Sequence, residues 1–419
     1  MFRRNIEPLL LAALADTPVV LLNGARQTGK STLAQHLIET GWPARYVTLD
    51  DVTVQAAARG DPQGFLSAYE GPVIIDEIQR ANELFLPIKL AVDRNRKPGR
   101  FLLTGSANVM LTPALSDALA GRMEILTLWP LSQGEINGYK EDFVDRLLAR
   151  DFSLPPSSIG QSKKLQIKRE DLAGLILRGG FPEVVERPDV ERRRAWFRSY
   201  LTTILQRDVR DLSKVEGLTE FPRLLALLAT RVANLLNLAD VSRATTISQT
   251  TLKRYLTLLQ ATYLVFLLPP WTSNLGARVV KTPKLMLGDT GLLTALVSVD
   301  EEGLLENSAL FGAALENFVV MEARKQISWS KTQPRMFHFR THTGQEVDIV
   351  LEEASGRLAG IEVKASASVN NNDFKGLRAL QEIAGKNFRR GILLYTGSEV
   401  VSFGKDLLAA PVSALWQSL

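Results

Sequence analysis

The segment Gly24-Ala-Arg-Gln-Thr-Gly-Lys-Ser31 has the residue types and spacing of a phosphate-binding loop. Two glycines allow the backbone to curl around an anion, and a helix that opens near Lys30 adds its positive end. Lys30 is expected to reach the β- and γ-phosphates, and the Ser31 hydroxyl to bind Mg²⁺. The residues expected to bind nucleotide are Gly24, Ala25, Arg26, Gln27, Thr28, Gly29, Lys30, Ser31 and Thr32.

A second set of chemical groups follows the apolar run at residues 73–75, where the chain continues as Asp76-Glu77. Acids at the carboxyl end of a strand near a phosphate loop suit metal and water chemistry. Asp76 is expected to hold Mg²⁺ together with Ser31, and Glu77 to orient and deprotonate the attacking water.

The apolar run at residues 99–106 predicts another buried strand, which ends in Thr104, Gly105 and Ser106. Thr104 or Ser106 could sense the γ-phosphate through a hydrogen bond. The alternative is a turn that caps a helix beginning near Asn108.

A further constellation of acids lies near the carboxyl end. Glu316 falls in a helical pattern, and the alternation in residues 346–351 places Glu346 and Asp348 on one face of a strand. Glu362 and Lys364 share a face of the next strand. Asp348 and Glu362 could hold Mg²⁺ with Glu316, while Lys364 positions the water for phosphodiester cleavage. The alternative is a polar strand face with one structural ion pair.

Between these two regions, residues 238–259 predict two short helices joined by a tight turn, the arrangement of a helix-turn-helix. A strand and a Pro-rich wing follow. The predicted outer face of the second helix carries Gln249, Lys253 and Arg254, which could contact DNA. A packing module beside an ATPase domain is the alternative.

The order of GARQTGKS, VIIDEIQ, FLLTGSA and LAGR resembles AAA-type (AAA+-like) P-loop ATPases, in particular a prokaryotic group with a carboxyl-terminal domain of unknown function. The resemblance covers essentially the whole chain and implies ATP and Mg²⁺ as cofactors. It also implies a homo-oligomer in which Arg122, just before the fifth strand, completes a neighbour's active site. The alternative for Arg122 is a structural ion pair.

The carboxyl-terminal acids look like those of restriction-endonuclease-like nucleases. Val347 stands before Asp348 where the commonest form of that motif has proline. Because a retained fold can bind without cutting, the resemblance leaves cleavage open.

Composition limits the kinds of metal site and partner that the chain can have. The chain has 419 residues, no cysteine, three histidines and a formal net charge of +5. These numbers exclude disulfides and thiolate metal sites, and they permit nucleic-acid contact without requiring it. The longest apolar run is far shorter than the roughly 20 residues that span a bilayer. The amino terminus faintly imitates a signal peptide, but Glu7 and Pro8 interrupt the pattern, so a cytoplasmic protein without a membrane partner is expected.

The predicted fold class is α/β, with four regions. They are an AAA-type P-loop domain with a mostly parallel sheet (1–135), a helical linker (136–215), a winged-helix-like domain (216–285) and a nuclease-like α/β domain (286–419). The predicted function is ATP hydrolysis coupled to nucleic-acid binding or processing. The alternative is a nucleotide-driven switch or assembly factor that binds protein partners.

Overall fold

Apolar strands at the amino end form the first of three sheets among the described residues. The structure is a computed structural model, and it describes residues 1–106, 119–150, 167–209, 220–274 and 282–417. Two compact units are present. The first comprises residues 3–130 and 258–263, and the second comprises residues 131–257 and 264–419. The division of the chain at residues 215 and 285 stays a prediction.

The sheet of the first unit is parallel, with the strand order β2-β3-β4-β1-β5. Every residue of β1, β3 and β4 is buried, as the continuous apolar runs predict for central parallel strands. The strands are β1 (Val19–Asn23), β2 (Arg45–Thr48), β3 (Val73–Asp76), β4 (Phe101–Gly105) and β5 (Met123–Thr127).

Helices cover this sheet and complete a core that includes Leu21, Ile75, Phe85 and Leu103. They are α1 (Glu7–Asp16), α2 (Lys30–Glu39), α3 (Val52–Gly60), α4 (Pro62–Ser67) and α5 (Phe85–Arg94). Because the strands are parallel, the carboxyl ends of β1, β3 and β4 lie at one edge, where ligands bind in open α/β sheets. The predicted helix near Asn108 lies outside the described residues.

The second unit begins with helices. A buried aromatic group formed by Phe181, Phe197 and Tyr200 packs along one of them. The helices are α6 (Gln133–Asn137), α7 (Phe143–Leu148), α8 (Arg169–Arg178), α9 (Pro182–Val185), α10 (Val190–Thr203), α11 (Phe221–Ala229), α12 (Leu238–Thr245) and α13 (Gln249–Ala261). Residues 258–261 of α13 are counted with the first unit.

The predicted pair of short helices is confirmed as α12 and α13. Thr246 adopts a left-handed conformation (φ 62°) between them, and the Ser248 hydroxyl accepts a hydrogen bond from the Thr251 backbone N–H at 3.2 Å. The following strand, predicted at residues 263–267, is β6 (Val265–Leu268), and it pairs antiparallel with β7 (Lys284–Leu287). Residues 275–281, which follow the first part of the predicted Pro-rich wing, lie outside the described residues.

A mixed sheet of six strands, ordered β12-β13-β11-β10-β9-β8, forms the carboxyl-terminal part of the second unit. Its strands are β8 (Arg335–Arg340), β9 (Glu346–Glu352), β10 (Leu358–Lys364), β11 (Phe388–Tyr395), β12 (Val401–Ser402) and β13 (Leu407–Pro411). The helices are α14 (Thr290–Leu296), α15 (Glu301–Glu306), α16 (Ser308–Ile327) and α17 (Lys375–Ala384). This α/β architecture agrees with the predicted class.

The start of α17 packs directly on β9. A Cβ atom placed on Gly376 would lie 1.8 Å from the carbonyl oxygen of Glu346, so only glycine permits this approach. Leu377 and Leu380 of the same helix complete a core with Val347 and Phe374. No helix among the described residues is long and apolar enough to cross a membrane.

Candidate nucleotide site and carboxyl-terminal acidic cluster

The predicted phosphate loop joins β1 to α2. Gly24 has φ 147°, and a Cβ atom there would lie 2.2 Å from the Leu128 carbonyl oxygen, so the close turn requires glycine. Gly29 precedes α2 with φ 91°, and among the described residues no side chain caps the first turn of this helix. The backbone N–H groups at a helix start without a side-chain cap favour an anion.

Lys30 is buried at the first position of α2. Its ammonium donates hydrogen bonds to the carbonyl oxygens of Gly24 at 3.0 Å and Ala25 at 2.8 Å. These partners are neutral, so the positive charge of Lys30 stays within the loop without being cancelled by them.

Asp76 lies at the end of β3 and is held by four hydroxyl groups, one of which is that of Thr48, which donates to its Oδ2 at 3.4 Å. Ser31 donates to its Oδ1 at 2.9 Å, Tyr46 donates to its Oδ2 at 2.7 Å, and Thr104 also donates to Oδ1. The Ser31 hydroxyl and the Asp76 carboxylate are thus adjacent oxygen donors, the donor type that Mg²⁺ prefers. The residues present therefore fit the predicted magnesium site.

Glu77 follows Asp76 in a left-handed backbone conformation, with φ 59°. Its backbone N–H donates to the Thr104 hydroxyl at 3.1 Å. Its carboxylate Oε2 accepts hydrogen bonds from the Gln79 amide and, at 3.4 Å, from the Ser106 hydroxyl. The two predicted phosphate sensors therefore contact the two predicted acids.

Sequence reasoning missed Gln79 and Tyr46 as members of this site. Gln79 joins Glu77 to Ser106, whose hydroxyl lies 3.0 Å from the Gln79 amide nitrogen. Burial, together with the hydrogen bond to Asp76, raises the pKa of Tyr46 well above its usual range. A signal existed for Tyr46, because it lies two residues before the strand neighbour of Asp76, on the same face of β2.

Arg122 makes an ion pair within its own unit. Its Nε and a terminal nitrogen lie 2.6 Å and 3.0 Å from the two carboxylate oxygens of Asp93. The same hydrogen bonds lower the pKa of the Asp93 carboxyl. This arrangement matches the structural alternative, and the role of Arg122 as a trans-acting finger stays a prediction.

At the carboxyl end, α16, β9 and β10 bring together four acids, which we call the acidic cluster: Glu316, Glu346, Asp348 and Glu362. Lys364 contacts one of them, Glu362, at 2.8 Å. The cluster lines a cleft of about 710 Å³. The four predicted nuclease-site residues are therefore neighbours, as the strand alternation indicated.

Lys284 of β7 occupies the middle of the acidic cluster. Its Nζ lies 2.7 Å from Glu316, 2.5 Å from Glu346 and 3.0 Å from Asp348. Burial lowers the pKa of Lys284, but the three carboxylates raise it by more, so the lysine stays charged. Sequence reasoning missed this residue; its only local signal is a lysine opening an otherwise apolar strand.

Glu362 is the least satisfied acid of the cluster. Its Oε1 accepts a hydrogen bond from Lys364, whereas its buried Oε2 has no hydrogen-bond partner among the residues that the structure describes. Burial and the nearby Asp348 raise its pKa well above its usual range. The same two causes raise the pKa of Glu316 to about 8.

The predicted set of Mg²⁺ ligands does not fit a metal in this arrangement. Within the described ranges, no group of three or more acids and histidines is placed to hold a metal ion. Lys284 provides the positive charge among the carboxylates instead. No cleavage step through a metal is therefore derived for this cluster.

On α13, the predicted DNA-contacting residues Gln249, Lys253 and Arg254 are all exposed. Leu252, Tyr255, Leu256 and Leu259 on the opposite side of the helix are buried. The predicted amphipathic pattern is confirmed, and the contact with DNA stays a prediction.

A parallel sheet with a phosphate loop after β1, a serine beside an aspartate and a neighbouring glutamate is the arrangement of a P-loop nucleotide-binding domain. The family comparison agrees, because residues 16–137 match the model described as an AAA domain. Residues 169–303 and 311–415 match two domains of unknown function, DUF8612 and DUF4143.

The chain is 32% identical over 416 residues to uncharacterized protein Rv2008c of Mycobacterium tuberculosis and equally to uncharacterized protein Mb2031c of Mycobacterium bovis. Each alignment covers 99% of this chain and 84% of the relative. The protein belongs to the family of these two mycobacterial proteins.

Solved structures that the chain is similar to include the Walker-type ATPase of Pyrococcus abyssi, at 14% identity and a TM-score of 0.42, covering 71% of this chain and 96% of that one. A RuvB variant of Thermotoga maritima matches at 18% identity and a TM-score of 0.30, covering 62% of this chain and 88% of that one.

Proposed function

We propose that this protein binds ATP with Mg²⁺ at its phosphate loop and hydrolyses it. The observation that carries the proposal is the contact of Ser31 with Asp76 at 2.9 Å, with Glu77 as the next residue. The contact supports the proposal because a hydroxyl and a carboxylate, oxygen donors of the type that Mg²⁺ prefers, lie next in sequence or space to a glutamate that would act as the general base.

In the proposed mechanism, Lys30 leaves the loop carbonyls and binds the β- and γ-phosphates. Ser31 and Asp76 would hold Mg²⁺, which supplies charge neutralisation of the transferred phosphoryl group. Glu77 accepts a proton from the attacking water, and Gln79 keeps the Glu77 carboxylate oriented. Thr104 connects the two acids, because its hydroxyl contacts both Asp76 and the Glu77 backbone.

Steady-state ATP hydrolysis tests this proposal. Lys30→Ala should abolish nucleotide binding, and Glu77→Gln should retain binding while turnover falls on the order of 10²- to 10⁴-fold. Lys97→Ala and Glu70→Gln, which change exposed residues of the same unit, are the matched controls. Normal hydrolysis by Glu77→Gln would reject Glu77 as the general base.

Arg122 provides a test of a homo-oligomeric ATPase. A trans-acting finger predicts that Arg122→Ala loses turnover on the order of 10³-fold and regains it when mixed with Glu77→Gln subunits. Asp93→Ala is the control, since it breaks the ion pair but leaves the arginine. Equal, small effects of both substitutions in an active monomer would assign Arg122 to the ion pair alone.

A second function, nucleic-acid binding or processing coupled to ATP turnover, is favoured by two features. Gln249, Lys253 and Arg254 form an exposed polar helix face, and Lys364 lies beside the acidic cluster in an open cleft. The rival is a cytoplasmic nucleotide-driven switch or assembly factor that binds protein partners. It requires the same ATPase and no contact with DNA.

Turnover with and without single- and double-stranded DNA separates these two functions. Stimulation that falls in Lys253→Ala and Arg254→Ala would support the nucleic-acid machine. Metal-dependent nicking of plasmid that is lost in Lys364→Ala would add cleavage. Turnover indifferent to every nucleic acid tested would favour the protein-binding switch.

A further inference from the structure

Arg4 is a buried charged residue that the mechanism above does not use. It precedes α1 and is 5% exposed. One terminal guanidinium nitrogen, Nη1, donates a hydrogen bond to the carbonyl oxygen of Thr28 at 2.8 Å, and the other, Nη2, donates to the carbonyl oxygen of Trp129 at 2.7 Å. Thr28 belongs to the phosphate loop, and Trp129 lies two residues after β5. All three residues are in the first unit, so Arg4 joins the phosphate loop to the end of the sheet.

The contact with Thr28 fixes the direction of a neighbouring N–H group. The carbonyl of Thr28 and the N–H of Gly29 belong to one planar trans peptide, in which the two groups point in opposite directions. A hydrogen bond that holds the carbonyl oxygen therefore also orients the N–H on the other side of the peptide. This N–H lies just before α2, whose first turn has no side-chain cap among the described residues. Backbone N–H groups in this position suit a phosphate ligand.

The second contact of Arg4 is with a part of the chain that other contacts hold in place. The Leu128 N–H donates a hydrogen bond to the carbonyl oxygen of Asn23 at 2.8 Å. The ring of Trp129 packs edge-on against Tyr263, with the ring centroids 5.6 Å apart. A planar guanidinium that holds two carbonyl oxygens at once has little rotational freedom. Arg4 is therefore a rigid support for the Thr28 carbonyl.

We propose that Arg4 is a positioning residue of the nucleotide site: by holding the Thr28 carbonyl, it keeps the Gly29 N–H directed at the phosphates of the bound nucleotide. The inference rests on the proposed function, because it requires a nucleotide at the phosphate loop. In this proposal Arg4 acts through the peptide and does not itself bind phosphate. Without the support, the peptide is less constrained, and nucleotide binding has to order it again.

This role predicts a particular kinetic pattern. The Gly29 N–H would contact the nucleotide before and during the chemical step alike. Loss of its orientation should therefore raise KM for ATP and leave kcat almost unchanged. ADP should lose affinity by the same factor as an ATP analogue, because the backbone N–H groups of such a loop surround the α- and β-phosphates, which both nucleotides carry.

Isothermal titration of the full-length chain with ADP and with a non-hydrolysable ATP analogue tests the proposal, together with steady-state ATP hydrolysis. Arg4→Met should weaken binding of both nucleotides about tenfold and raise KM by a similar factor, with kcat within about twofold of wild type. Arg4→Lys keeps the charge without the planar fork and should lose affinity at least about threefold. Arg3→Met, which removes the same charge from the exposed preceding residue, is the matched control and should bind like wild type.

Wild-type nucleotide affinity in Arg4→Met would overturn the proposal. Full affinity in Arg4→Lys would also overturn it, because a positive charge alone would then be sufficient. A fall in kcat at unchanged KM would contradict it as well, since Arg4 would then act on the chemical step. An unfolding curve for each variant establishes that it is folded at the assay temperature, and if Arg4→Met is not, the affinity of Arg4→Lys decides.

Failure of the proposed ATPase would give a different result. Wild-type protein that binds ADP and the analogue without hydrolysing ATP would reject hydrolysis and leave the affinity comparison of the Arg4 and Arg3 variants standing. Wild-type protein that binds no nucleotide would reject both proposals. Normal binding and hydrolysis by the wild type, with equal affinities in all three variants, would reject the role of Arg4 alone.

Discussion

The nucleotide site and the acidic cluster both bury a lysine, yet they use it in opposite ways. Lys30 rests on two neutral carbonyl oxygens, whereas Lys284 is surrounded by three carboxylates. A phosphate oxygen that replaces either of these two carbonyl contacts of Lys30 displaces no negative charge. Removal of the Lys284 ammonium would leave three carboxylates without a cation. The nucleotide site can therefore bind its ligand, whereas the acidic cluster is already occupied by Lys284.

The largest expected difference between Lys30 and Lys284 is in how much each contributes to the free energy of unfolding. In the presence of a chelator, Lys284→Met should lower the free energy of unfolding of the second unit by about 3–5 kcal/mol, because Asp348 and its neighbouring acids lose the buried cation that pairs them. Lys30→Met should cost the first unit about 1 kcal/mol, the size of ordinary hydrogen bonds. Native-state hydrogen exchange reports each unit separately. Similar costs for the two substitutions would contradict the comparison.

The orientation of Glu77 gives the next prediction. Gln79→Ala should lower ATP turnover on the order of tenfold with nucleotide affinity unchanged, because the Glu77 carboxylate loses the amide that orients it. Gln55→Ala is the control, since the amide of Gln55 contacts the carbonyl oxygen of Arg80 instead. Turnover that is the same in both variants would remove Gln79 from the site.

The pH dependence of stability should differ between the two units. Burial and Asp348 raise the pKa of Glu316 to about 8, so the folded state holds a proton that the unfolded state releases near pH 4.5. The stabilisation is complete below pH 4.5 and is lost as the pH rises to about 8.

Glu316→Gln should therefore flatten this decline in the second unit, by on the order of 2 kcal/mol between pH 5 and 8. Denaturant unfolding at several pH values measures the slope. Asp76→Asn, which alters the nucleotide site, should leave the slope of the second unit unchanged. A slope unaffected by Glu316→Gln would show that other groups take up the proton.

The smallest predicted effect concerns Tyr46. Tyr46→Phe removes one of the hydroxyls that hold Asp76 and should cost the first unit about 0.5–1.5 kcal/mol, the value of one hydrogen bond. Turnover should fall only severalfold, because Ser31 and Thr104 still contact the same carboxylate. Equal free energies of unfolding for the wild-type protein and Tyr46→Phe would show that this hydrogen bond contributes nothing.

Local pattern was enough for the elements that carry chemistry. The phosphate loop, the acids after β3 and the shared strand face of Glu346 and Asp348 all follow from neighbouring residues, so short-range periodicity locates them. Lys284 could not be found in this way. Its partners are 32 to 64 residues away, and Lys284 itself fell in the predicted winged-helix-like domain (216–285) rather than in the nuclease-like domain.

Gln79 shows a second limit. It was quoted in a motif, but its contact with Ser106 depends on how the turn after β3 approaches the end of β4, which no local pattern specifies. The overall α/β class, in contrast, was predictable, because parallel apolar strands permit few arrangements. The identity of the cation in the acidic cluster depended on tertiary placement alone.

The left-handed backbone of Glu77 also bears on how this position can change over evolutionary time. A residue with φ 59° pays a conformational cost that glycine would avoid and asparagine would reduce. Under selection for folding alone, glycine or asparagine would therefore be expected to replace Glu77. A carboxylate persists there only under selection for its chemistry, so a relative with glycine or asparagine at this position is expected to be a more stable protein that has lost hydrolysis.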